Sequence, residues 1–123
     1  SILMKNYPIL IGLAYFCSGH FLMFYQMNGQ FMDKLKPLFT KDLFLAVYGA
    51  CIGLLFVWGT KWMVEGFEGL LWPTRFIGFG VGMIIYALMV AYHFNESLLN
   101  VKTMLSLILC VALVSIQVLW KTN

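Results

Sequence analysis

The stretch PTRFIGFGVGMIIYALMVAYH, Pro73 to His93, decides the fold. Its 21 residues hold one fully charged side chain, Arg75 near the start, and after it only glycines, aliphatics, aromatics and methionines until His93. A helix needs about 20 such residues to cross the hydrocarbon of a bilayer, because each residue rises only about 1.5 Å. The run therefore predicts a transmembrane helix. Working outward, three further windows meet or approach that length: Tyr7 to Met27, Leu43 to Val64, and Thr103 to Trp120. The last has only 18 residues, but Ser106, Ser115 and Gln117 are its only polar residues after Thr103, so it still predicts a span. The expectation is an all-α fold: one integral membrane four-helix domain over residues 1–123, with almost nothing outside the bilayer.

Composition points the same way. Of 123 residues, 62% are hydrophobic and 11% charged. A soluble chain of this length buries only about 60 to 70% of the surface it exposes when unfolded, too little to hide so much apolar area. Lipid is the solvent the composition requires. The net charge is +3, yet the eight basic residues are scattered along the chain, so no stripe for nucleic acid can be drawn. Cys17, Cys51 and Cys110 lie far apart in apolar runs, which fits neither a disulfide framework nor a metal-ligand spacing. They read as small membrane-buried hydrophobes. Lys5 followed by an apolar run from Ile9 is superficially like a signal peptide, but the run continues to Met27 without a small-x-small site, which favours a retained span.

The connections differ in character. Asn28 to Asp42 carries Asp33, Lys34, Lys36 and Lys41 among Phe31, Met32, Leu35, Leu38 and Phe39. It reads either as a short amphipathic piece in the interface or as a loop with apolar anchors. Glu65-Gly66-Phe67-Glu68-Gly69 leads to Trp72-Pro73, where proline suits a helix start and tryptophan the headgroup level. Asn95 to Lys102 is a tight polar hairpin, so the last two helices should be antiparallel neighbours. Four spans place both termini on one side, with Lys5, Lys61, Arg75 and Lys121 there and Lys34, Lys36, Lys41 and Lys102 opposite. With basic residues divided evenly, the positive-inside rule favours neither orientation.

Ionisable groups in or beside a span are costly, which makes each a functional candidate. Lys61 and Glu65 are four apart on one helical face, and Glu68 and Arg75 follow at the same end of the membrane. These four are the candidate substrate-binding residues, facing a cavity between the second and third helices; the alternative is an interfacial ion pair with snorkelling side chains. His20 and His93 raise the question of haem or a proton relay. The two rings would differ in depth by about 10 Å, too far to share an iron within one chain. No metal or cofactor is expected, and His20 beside Gly19 reads as a packing residue. Gly49 and Gly53 in the second span, and Gly78, Gly80 and Gly82 in the third, allow close helix packing or a hinge. No nucleotide-binding or hydrolytic motif is present, no nucleophile, base and orienter can be assembled, and an enzyme is not expected. The sequon Asn95-Glu96-Ser97 is a weak pattern.

The run Gly80-Val81-Gly82-Met83-Ile84 and the segment Leu105-Ser106-Leu107-Ile108-Leu109-Cys110 through Val118-Leu119 resemble the small multidrug resistance family of the drug/metabolite transporter superfamily. The likeness covers roughly the last third of the chain and is looser around Gly19 to Met23. It implies four short helices, an antiparallel dual-topology homodimer and transport of a small solute. The family's proton-coupled export uses a glutamate in the first span. Laying Gly19 and Leu22-Met23 on the family's pattern puts Phe16 at that position, and the first span holds no acid. Gly78 stands where the family has an aromatic. The expected function is a transporter-like protein in the inner or plasma membrane, without the usual glutamate, that binds or moves a small polar or amphipathic solute. The alternative is a non-transporting accessory or assembly subunit of a larger membrane complex.

Overall fold

The computed structural model describes residues 6–121, so Lys5 lies outside the described residues. The fold is all-α, with no strand among those residues: α1 Tyr7–Asn28, α2 Lys36–Phe39, α3 Asp42–Gly66, α4 Leu71–Phe94 and α5 Val101–Leu119. Four of these helices, α1, α3, α4 and α5, are long and apolar enough to cross a membrane.

Local chemistry sets the helix ends. Past the end of α3 the Gly69 N–H donates to the Val64 carbonyl at 2.8 Å and the Glu68 N–H to that of Glu65 at 3.2 Å. This is a Schellman motif, with Glu68 holding the left-handed position (φ 57°) that glycine usually fills. α4 starts at Leu71, two residues before the expected start at Pro73. Proline fits there because the first-turn N–H groups have no intrahelical acceptor and none is lost. Asn95 ends α4 at φ 55°, and Asn100 opens α5 by accepting the Thr103 N–H at 2.8 Å. The first connection is neither a long amphipathic helix nor a bare loop. It is a short 3₁₀ turn, Gly29–Phe31, and one turn of α2, anchored by Phe39, which is buried over Gly29 against Phe44 and Tyr48.

Packing is organised by glycine. α1 and α3 run antiparallel, and Gly12 lies so close to Gly59 that a methyl group there would come within 3.1 Å of the Gly59 carbonyl oxygen. Met63, wholly buried, closes over Gly12. Further along, Phe56 covers Gly19, and Gln26 reaches Gly49 while donating to the Leu45 carbonyl at 3.2 Å. α1 and α4 run parallel, with Phe16 beside Gly78, His20 on Gly82, and Phe24 against Tyr86 with ring centroids 5.4 Å apart. Gly80, two residues from each of these glycines, lies on the other side of α4, where Val114 of α5 seats. The Gly78, Gly80, Gly82 run thus lets one helix be approached closely from both sides, and α4 continues through it unbroken.

α1 is therefore the centre of the bundle and α5 its periphery. The most hydrophobic window of α1 is 28% buried and that of α5 is 0% buried. Consecutive α3 and α4 scarcely touch, since each packs on α1 instead. The space left between them is a cleft floored by α1.

Candidate functional site

That cleft is a half-open pocket of about 630 Å³, within the range of about 300 to 1,000 Å³ usual for small-molecule sites. Phe16 and His20 of α1 form its floor, Phe56 and Thr60 of α3 one wall, and Arg75, Phe79, Met83 and Tyr86 of α4 the other. The floor is fixed by the glycine register. Phe16 fits against Gly59 and Gly78, and the His20 ring lies over Gly82 with its edge on the Phe56 ring at 4.8 Å. A side chain at Gly82 would occupy the place of that ring: a Cβ there would be 2.5 Å from His20 Cε1.

Of the four charged residues expected at the site, only Arg75 lines the cavity. It projects from the second turn of α4 and is exposed. Lys61, Glu65 and Glu68 are exposed at the same end of the bundle, outside the lining. Among the glycines, Gly78 and Gly82 set the cavity floor, Gly80 packs on α5 and Gly49 on α1. Gly53 faces open space, with nothing within 4 Å of the position a Cβ would take.

Sequence reasoning did not single out Thr60 or Tyr86 and treated His20 only as a packing residue. The available signal was a match of periods. Phe16 and His20 are four apart on α1, as are Gly78 and Gly82 on α4, so two large side chains can seat on two vacancies if the helices lie side by side in parallel.

Further spaces flank the bundle, among them one of about 490 Å³ beside the last hairpin, reaching Met83 and Ser106, and two others. One, of about 520 Å³ between α4 and α5, is lined by aliphatic residues such as Ile84, Leu88, Val111 and Val118. The other, of about 760 Å³ at the opposite end from Arg75, is bordered by Tyr25, Phe31, Tyr48 and His93. There the Tyr25 hydroxyl and His93 Nε2 share a hydrogen bond of 3.0 Å, and the His93 ring stacks on Phe24. His93 is 11 residues along α4 from Gly82, on which His20 lies, so the two histidines differ in depth by about 16 Å. Among the described residues no group of three or more His, Cys, Asp or Glu side chains is arranged to hold a metal ion.

Compared with family models, characterised proteins and solved structures, the chain gives no match in any of the three.

Proposed function

We propose that this protein is a small transporter-like integral membrane protein that binds, and moves across the membrane, a small polar or amphipathic solute held in the cleft between α3 and α4. The observation that carries this reading is the cavity itself. Two helices adjacent in sequence, each long and apolar enough to cross a membrane, are held apart over an aromatic floor, with hydroxyl, imidazole and guanidinium groups in the lining. The protein acts by binding rather than by covalent chemistry.

The resemblance to the small multidrug resistance family is consistent with this proposal. Phe16, at the place of that family's acid, lines the cavity. The coupling would therefore differ from the usual proton exchange on a first-span glutamate. An antiparallel homodimer in the inner or plasma membrane is part of the proposal and accords with the even division of basic residues between the two sides. In proteoliposomes, Thr60→Trp, which fills the cleft, is expected to abolish uptake of solutes the parent carries. Unchanged uptake by Thr60→Trp would sink the assignment to this cavity. The Glu65→Gln, Glu68→Gln double variant then reports whether the charged rim contributes.

A second reading, an accessory subunit of a larger membrane complex, draws on the exposure of α5 and of Gly53, both of which leave apolar helix surface for other helices to cover. Purification in mild detergent separates the two. A stoichiometric larger partner favours the accessory role, and a homodimer alone favours the transporter.

A further inference from the structure

We infer that the solute of this cleft is an anionic amphiphile, an apolar chain carrying a carboxylate or phosphate headgroup. The inference rests on the binding role proposed above and adds the charge and shape of the ligand. Among the described residues Arg75 is the one permanently charged side chain in the lining, and no carboxylate of theirs is among the lining residues. The acids of this end of the bundle, Glu65 and Glu68, lie outside it. A cation entering the cleft would meet a guanidinium with no compensating acid. An anion meets a donor whose planar fork matches carboxylate and phosphate oxygens, with the Thr60 hydroxyl also in the lining. The position of the charge sets the ligand's orientation. Arg75 is in the second turn of α4, and Tyr86 is 11 residues further on, about 16 Å along the helix. Between those levels the cleft is walled by Phe16, Phe56, Phe79 and Met83, with the His20 ring over Gly82 as the one polar group of the floor, a mainly aromatic and aliphatic surface suited to an alkyl chain. The headgroup sits at the mouth on Arg75 and the chain lies inward over the α1 floor.

The test is displacement of a fluorescent polyene fatty acid from the full chain purified in a non-ionic detergent. The competitors share one dodecyl chain and carry phosphate, carboxylate or trimethylammonium. The phosphate and carboxylate are expected to compete about tenfold or more better than the trimethylammonium compound. Arg75→Gln is expected to remove that preference and Arg75→Lys to keep most of it, while Lys41→Gln leaves it unchanged. Monodispersity and helical circular dichroism confirm that each variant is folded. Equal or better competition by the trimethylammonium compound, or an anion preference that survives Arg75→Gln, overturns the inference. If the cation wins but its binding disappears in Thr60→Trp, the binding role stands and only the charge assignment fails. If no amphiphile of either charge binds, the binding role fails with it. Repeating the displacement in phosphatidylcholine nanodiscs with and without phosphatidylglycerol identifies the source of the anion. Displacement by phosphatidylglycerol makes the occupant a membrane lipid headgroup, and its absence makes it a free amphiphile.

Discussion

Replacing Gly12 and Gly53 by alanine, one at a time, asks the same chemical question at two places the structure makes opposite. In a helix interior alanine is favoured over glycine by about 0.8 to 1 kcal/mol. At Gly53 the added methyl meets nothing within 4 Å, so that gain is expected in full or in part. At Gly12 the methyl would stand 2.6 Å from Met63 Cγ and 3.1 Å from both the Gly59 oxygen and the Met63 nitrogen. Comfortable carbon contacts are about 3.5 to 4 Å, so α1 and α3 must separate by roughly 1 Å or Met63 must move. Met63 is 0% exposed, so it cannot yield by swinging out to the surface. Overpacking of this kind costs about 1 to 3 kcal/mol. The helix-propensity gain is common to both sites and cancels, so the two variants should differ by the overpacking cost, about 1 to 3 kcal/mol, with Gly12→Ala the less stable. The assay is unfolding from non-ionic micelles by added ionic detergent, followed by circular dichroism and by tryptophan fluorescence. Trp58 and Trp62 sit on α3 against Tyr15 and Tyr7 of α1, so their emission reports this interface. A Gly12→Ala midpoint equal to or above that of Gly53→Ala would refute the glycine-set contact between α1 and α3.

Other expectations follow from single contacts. Asn100→Ala removes the cap on α5 and should destabilise the last hairpin by about 1 kcal/mol, seen as faster amide hydrogen exchange in the first turn of α5. Tyr25→Phe deletes the partner of His93 and should cost about 1 kcal/mol in the same unfolding assay, without altering amphiphile binding at the other end of the bundle. Glu68→Gly relieves the left-handed backbone at the end of α3 and should raise stability by up to about 1 kcal/mol. Gly80→Leu places a side chain where Val114 seats and should release α5 from α4, measured as loss of a cross-link between cysteines introduced at positions 84 and 111.

The membrane character and the four long helices were legible because they depend on apolar runs, which the chain displays directly from Tyr7, Leu43, Pro73 and Thr103 onward. The polar hairpin at Asn95 to Lys102 was legible for the same reason, as its asparagines do the capping locally. The site was legible only in part. Glu65 and Glu68 stood out by charge, but a charge at a helix end gives no indication of the direction in which it projects, and both lie outside the cavity that Arg75 lines. Which helix pairs with which was also hidden. Gly49 and Gly53 form a small-residue pair in one-dimensional spacing, yet only Gly49 meets another helix, because α3 turns its Gly59 and Met63 side to α1. The role of α1 as floor depends on Phe16 and His20 meeting Gly78 and Gly82, a match between two distant segments that no local pattern announces.

The central claim is that the cleft between α3 and α4 holds an amphipathic solute. Its most direct test uses the chain with Cys17, Cys51 and Cys110 replaced by alanine and a single cysteine introduced by Thr60→Cys or Gly53→Cys. Both positions are on α3 and exposed, but only Thr60 lines the cavity. Labelling by a membrane-permeant maleimide, measured with and without saturating dodecyl amphiphile of either charge, should be slowed severalfold at Thr60→Cys and unchanged at Gly53→Cys. Equal labelling rates with and without amphiphile at Thr60→Cys, or equal protection at both positions, would contradict it.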